Sequence, residues 1–256
     1  MVKKEKALNE NQQALCNKIK ELRLPAFAAA LADLLSTNKG DNDLEQKLSN
    51  LVDAELTARS SKKINRLIAK AELRHPTACI DSTMEAEDRK LNVQLIHELA
   101  SSKWIERKEN VIITGATGSG KSYLACALAL SAIQQFKTVK YFKTSALMRI
   151  ITDAKKNGEF SKLLDKLSDY DVIIFDDFCF TDIDVYSGLG LVELLDARDE
   201  VKSSIFISQH EVSGWYEKFK DVSIAEACLN RITHNAQRVL MYGRNMSVRY
   251  HEEDPK

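Results

Sequence analysis

The chain of 256 residues carries 37 lysines and arginines against 37 aspartates and glutamates, so no net field draws it to nucleic acid or an acidic surface, and any such attraction must come from a local patch. Its length allows one large domain or two small ones, and no apolar run reaches the roughly 18 residues needed to cross a bilayer. Cys16, Cys79, Cys126, Cys179 and Cys228 form no CxxC pair, which argues against a zinc site or disulfide framework; with an amino-terminal segment unlike a signal peptide, this leads to the expectation of a cytoplasmic protein.

Up to about residue 100 the chain reads as helix. Leucines and isoleucines recur at three- and four-residue spacing, few segments alternate, and Gly40 is the only glycine. Pro25 suits the first turn of a helix through Phe27, Leu31, Leu34 and Leu35, and the cluster Gly40-Asp41-Asn42-Asp43 stops one helix and caps the next. The long helix that follows, through Leu44, Leu48, Leu51, Val52 and Leu56, runs into a basic stretch. There Arg59, Lys62, Lys63, Arg66, Lys70 and Arg74 stand against the single acid Glu72, with a stop expected at His75-Pro76. Lys62, Arg66, Lys70 and Arg74 are four apart, which on a helix makes one basic ridge while Ile64, Leu67, Ile68 and Leu73 face inward. Such a ridge can meet a DNA phosphate backbone through salt-sensitive, sequence-independent contacts, or it can be a solvated face. Residues 1–78 are expected to form a helical domain, and residues 79–256 a second domain opened by an amphipathic linker helix through Leu91, Leu95, Ile96 and Leu99.

From residue 109 apolar strands alternate with helices, the signature of an α/β fold with a parallel sheet covered on both faces. Strands are expected near 110–114, 138–143, 171–176, 203–208 and 237–242, and helices near 121–136, 145–157, 160–168, 187–199 and 223–233. Residues 115–122 read Gly-Ala-Thr-Gly-Ser-Gly-Lys-Ser, a full GxxxxGK[ST] phosphate loop directly after the buried strand Val111-Ile112-Ile113-Thr114. Backbone amides of Gly115, Ala116, Thr117, Gly118, Ser119 and Gly120 can curl around phosphates, Lys121 supplies a point charge, and the Ser122 hydroxyl can ligate Mg²⁺. Tyr123 continues into an apolar helix whose positive end faces the same phosphates. This segment is expected to bind ATP.

Val172-Ile173-Ile174-Phe175-Asp176-Asp177 is an apolar strand ending in paired acids, as a Walker B strand does. Asp176 is expected to hold Mg²⁺ together with Ser122, and Asp177 to orient or deprotonate the attacking water. Ser204-Ile205-Phe206-Ile207-Ser208-Gln209 fits a strand lying between the two Walker strands, so that either Ser208 or Gln209 reaches the γ-phosphate, the role called sensor 1. Spacing alone assigns no role to Arg231 or Arg249, and His234 reads as a structural hydrogen-bonder.

These segments together resemble the IstB-like helper ATPases of insertion-sequence transposition, relatives of the DnaC helicase loaders within the AAA+ group. The resemblance runs through nearly the whole chain. It is carried by Ala100-Ser101-Ser102-Lys103-Trp104-Ile105-Glu106-Arg107, the stretch from Asn110 through the phosphate loop to Ala125, Ile174-Phe175-Asp176-Asp177-Phe178, Ile207-Ser208-Gln209, Leu229-Asn230-Arg231-Ile232-Thr233-His234-Asn235-Ala236, and Asn245-Met246-Ser247-Val248-Arg249. It implies sheet order 5-1-4-3-2 without a carboxy-terminal lid, and an ATPase that assembles on duplex DNA, bends it and recruits a transposase. Arg231 then takes the arginine-finger role at a subunit interface, Arg249 that of a second sensor, and the amino-terminal helices help in DNA binding and self-association. Asp177 departs from the usual AAA+ glutamate by a methylene, which implies slow intrinsic turnover. The rival readings are a loader whose partner is a replicative helicase, a small-molecule kinase, and a non-catalytic DNA-binding module for which ATP is only an assembly ligand.

Overall fold

A computed structural model describes residues 8–37, 44–84 and 91–242. They form two compact units, one ending at Arg66 and one beginning at Leu67. The first is helical. Its α1 (Glu10–Glu21) opens on a reciprocal capping box, in which the Asn9 side chain accepts from the Gln12 amide at 2.9 Å and the Gln12 side chain accepts from the Asn9 amide at 3.0 Å. The next helix, α2 (Pro25–Thr37), has proline at its first position as expected, and its free amides are met from another helix. Glu55, buried on α3 (Leu44–Ala71), accepts from the amides of Ala26 at 2.9 Å and Phe27 at 3.1 Å. Burial alone would raise the Glu55 carboxyl; the Arg59 guanidinium and the two amides outweigh it and hold the group below its ordinary range. Arg59, expected among the DNA-facing cations, also donates to the Arg23 carbonyl at 2.8 Å, so its guanidinium fastens the α1–α2 turn to α3. The cluster Gly40-Asp41-Asn42-Asp43 lies outside the described residues.

Helix α3 ends at Ala71, ahead of the stop expected at His75-Pro76. Glu72 turns left-handed (φ 51) and pairs with Lys140 at 2.8 Å, while the same lysine donates to the Lys70 carbonyl at 3.3 Å. A tertiary partner thus satisfies a terminal carbonyl and ends the helix before proline can. Arg74 therefore leaves the ridge of Lys62, Arg66 and Lys70, which remain exposed at four-residue spacing on α3.

In the second unit three short helices, α4 (Ile80–Met84), α5 (Val93–Ala100) and α6 (Lys103–Glu106), precede the sheet. Asn92 caps α5, whose Ile96 and Leu99 are buried, and Trp104 donates its indole N–H to the Leu99 carbonyl at 3.0 Å. Five strands follow: β1 (Asn110–Gly115), β2 (Val139–Lys143), β3 (Val172–Asp176), β4 (Ser203–Ser208) and β5 (Ala236–Met241). They pair in parallel in the order β2-β3-β4-β1-β5, the expected 5-1-4-3-2 read from the other edge, with β4 between β1 and β3. The central strands β3 and β4 are buried at every position, because helices cover both faces.

Alternation divides the side chains between those faces. Ile112, Ile173, Phe175 and Phe206 join the core beneath α8 (Thr144–Lys156), α9 (Phe160–Ser168), α10 (Val185–Arg198) and α11 (Val222–Thr233). On the other side lies α7 (Lys121–Gln134), the apolar helix that the phosphate loop opens, with α4 and α5 packed on it. Phe175 stacks on Phe206 at 4.8 Å between centroids, and Phe178 meets Phe206 and Trp215 edge-on at 5.1 and 4.9 Å. These rings wedge the turn that follows β3. Asn110 ties three elements at the opposite edge: its side chain donates to the carbonyls of Arg231 and Ile232 and accepts from the Ser204 amide at 2.9 Å. No helix among the described residues is long and apolar enough to cross a membrane.

Candidate nucleotide site

The loop between β1 and α7 takes its shape from its glycines. Gly115, Gly118 and Gly120 all have φ in the left-handed range, at 146°, 80° and 93°. At Gly115 a side chain is also excluded by contact, since a Cβ would stand 2.1 Å from the Met241 carbonyl oxygen of β5. The loop wraps its own lysine: Lys121 Nζ donates to the carbonyls of Gly115 at 2.8 Å and Ala116 at 2.7 Å. Burial pushes the Lys121 ammonium down, and the charges of Asp176 and Asp177 oppose the shift. The Ser119 hydroxyl is buried in the same loop and has no hydrogen-bond partner among the described residues.

Where β3 emerges at the carboxyl edge, Asp176 is fully buried and heavily bonded. Its carboxylate accepts from the Ser122 hydroxyl at 2.8 and 3.1 Å, from the Asp177 amide at 2.9 Å and from the Tyr141 phenol, and Arg74 lies 3.8 Å away. Burial, reinforced by the bond to Asp176, drives the Tyr141 phenol upward, so it stays a donor to the carboxylate. The Asp176 backbone is fixed as well, its carbonyl accepting from Thr144 at 2.9 Å. Ser122 and Asp176 thus present hard oxygen donors side by side, which suits Mg²⁺, an ion that keeps water and phosphate as its other ligands. Among the described residues no three His, Cys, Asp or Glu side chains converge to hold a metal, here or elsewhere.

Asp177 sits at φ 55, a left-handed conformation rare for a residue with a side chain, and is half-exposed with Lys143 Nζ 3.7 Å from its carboxylate. The turn is held by the bond from the Phe178 amide to the Ile207 carbonyl at 2.7 Å. The two sensor candidates separate here. Ser208 is buried, its hydroxyl donating to the Phe178 carbonyl at 2.7 Å and accepting from the His210 amide at 3.2 Å. Gln209 instead reaches the phosphate loop, accepting from the Thr117 hydroxyl at 2.9 Å. Both residues line the cleft, Ser208 with its hydroxyl bonded to the turn and Gln209 with its side chain on the phosphate loop.

Together these residues line a cleft of about 530 Å³ bounded by Arg74, Lys121, Ser122, Tyr123, Asp176, Asp177 and Gln209. Arg231 does not line it: its guanidinium pairs with Asp196 of α10 and donates to the Ala227 carbonyl at 2.6 Å. Arg249 lies outside the described residues. Sequence reasoning missed Tyr141 and Thr144, and placed Arg74 on the basic ridge rather than at this cleft. The first two stand on the strand and helix beside β3, a neighbourhood that only the pairing of Tyr141 opposite Ile174 reveals. Arg74, expected to continue the four-residue spacing of the basic ridge, lies past the end of α3.

Solved structures share the fold. A DnaC helicase loader matches with TM-score 0.54 and 15% identity, covering 66% of this chain and 98% of that one. The replication initiator DnaA bound to AMPPCP and single-stranded DNA matches with TM-score 0.53 and 16% identity over 69% of this chain and 53% of that one. Sequence relatives are closer. An insertion sequence ATP-binding protein of Sinorhizobium fredii is 33% identical over 90% of this chain and 93% of its own length. The ATP-binding protein of insertion sequence IS1162 from Pseudomonas fluorescens is 32% identical over 77% and 86% respectively. The family model for IstB-like ATP binding protein matches residues 17–254, which takes in the phosphate loop, Asp176 and Gln209 alike. By that match, and by the identity to these relatives, the chain belongs to the IstB-like ATP-binding proteins.

Proposed function

We propose that the protein hydrolyses Mg·ATP and uses the nucleotide to assemble on duplex DNA, where it serves a transposase of its insertion sequence. The observation that carries this reading is the convergence of Lys121, Ser122, Asp176, Asp177 and Gln209 on one cleft. Lys121 exchanges the loop carbonyls for the β- and γ-phosphates as the triphosphate enters. Ser122 and Asp176 would hold Mg²⁺, which would supply neutralisation of the phosphate charge. Gln209 and Asp177 orient a water toward the γ-phosphorus; the bond to the ADP oxygen breaks, and the water's proton passes to Asp177 or the departing phosphate. A carboxylate one methylene shorter than glutamate reaches less far, which favours slow turnover in the lone protein.

Assembly is supported by the position of Arg231, outside its own cleft on α11 and able to enter a neighbour's as an arginine finger. Beyond Asp177 the exposed Phe180, Val185, Tyr186 and Leu189 offer apolar surface for such a neighbour. Lys62, Arg66 and Lys70, exposed on α3, supply sequence-independent contacts to DNA phosphates. The relatives' association with insertion sequences points to a transposase as the protein partner. The chemistry is tested by Asp177→Asn, which should retain ATP binding while lowering turnover by about two orders of magnitude or more. Turnover equal to the unaltered protein's would remove Asp177 from the mechanism.

A further inference from the structure

Arg74 reaches the cleft from a segment ahead of the sheet, and that segment is anchored along its length. Leu73 and Ala78 are buried, Glu72 is paired with Lys140 of β2, and the backbone of His75 and Arg74 lies against the Cys126 thiol of α7. The His75 ring packs 5.6 Å from the Tyr123 ring, and the Cys79 amide donates to the Tyr123 hydroxyl at 3.1 Å. The backbone at Arg74 is thus held on two elements that form the nucleotide site. Its side chain is held by much less. It is half-exposed, makes no hydrogen bond among the described residues, and meets Asp176 only at 3.8 Å, beyond hydrogen-bond reach.

A guanidinium with its donor fork open, beside the carboxylate that suits a divalent cation, is placed for exchange. Were Asp176 to hold a divalent cation, its attraction for Arg74 would be offset, and the guanidinium fork would be left to match phosphate acceptors in bidentate geometry. We propose that Arg74 is a ligand for the terminal phosphate of the nucleotide bound in its own subunit, standing against Asp176 when nucleotide and metal are absent. This rests on the cleft binding nucleotide as proposed above, and it removes Arg74 from the DNA-contacting set. It also makes the chain just after α3 sensitive to whether the third phosphate is present.

The test is equilibrium binding of a non-hydrolysable ATP analogue and of ADP, each with Mg²⁺, to the full chain and to Arg74→Ala and Arg74→Lys. Arg74→Ala should lose about ten- to a hundredfold in affinity for the triphosphate and less than about threefold for ADP, and lysine should restore part of the loss. Equal losses for both nucleotides would show that Arg74 only helps to seat the segment on Tyr123; unchanged affinity for both would show no role at all. Either result overturns the assignment. Arg74→Gln gives the same comparison should the alanine variant fail to fold. Nucleotide binding by the unaltered protein, abolished by Lys121→Ala, keeps the function reading intact while Arg74 is judged; no binding by the unaltered protein overturns both.

Discussion

Ser208 and Gln209 are adjacent at the end of β4, yet chain direction sends one into the protein and the other toward the phosphate loop. The difference predicts unlike phenotypes. Ser208→Ala removes a buried hydroxyl that bonds both the Phe178 carbonyl and the His210 amide, and should cost about 1–3 kcal/mol in thermal or denaturant unfolding, with turnover reduced only as the turn loosens. Gln209→Ala should leave stability nearly unchanged and lower ATP turnover by about ten- to a hundredfold through loss of an oriented polar group. A reversal of these two results would reassign the sensor. The sequence narrowed this choice to two neighbours and could go no further, because strand parity at the last residue depends on the turn that follows. The helix expected to run through Arg74 stops short for a similar reason: the spacing from Lys70 is helical, but Lys140 and the left-handed Glu72 end the helix before it. Both outcomes depend on partners distant in sequence.

At the scale of elements the sheet was legible almost to the residue. β1, β2, β3 and β4 begin within a residue of their expected positions, and β5 begins one residue early, since continuous apolar runs bounded by charge leave little freedom in a strand buried on both faces. What the runs could not convey is how the edge of β3 is buttressed. Phe175, Phe178, Phe206 and Trp215 form one aromatic block behind Asp176 and Asp177, drawn from two strands and two loops. Phe206→Ala should open a cavity in that block and cost about 3–5 kcal/mol, measured by denaturant unfolding. It should also depress turnover more than nucleotide affinity, because the strained Asp177 turn rests on these rings while the phosphate loop does not. A loss below about 1 kcal/mol would mean that the neighbours collapse into the space.

For the whole molecule, equal numbers of acidic and basic residues leave DNA binding to a local patch, and Lys62, Arg66 and Lys70 on α3 are the exposed basic residues at regular spacing there. Family membership was legible from motifs spread over nearly the entire chain, whereas nothing in the motifs fixes how copies associate. The account's central claim is that a triphosphate in the cleft makes neighbouring copies cooperate on duplex DNA. Electron microscopy of the purified protein with duplex DNA, with and without a non-hydrolysable ATP analogue and Mg²⁺, tests it most directly. Ordered assemblies on DNA should form only with the nucleotide and disappear in Arg66→Glu/Lys70→Glu, while that variant's nucleotide affinity stays within about twofold of the unaltered protein's. Single particles that ignore both nucleotide and DNA would contradict the account.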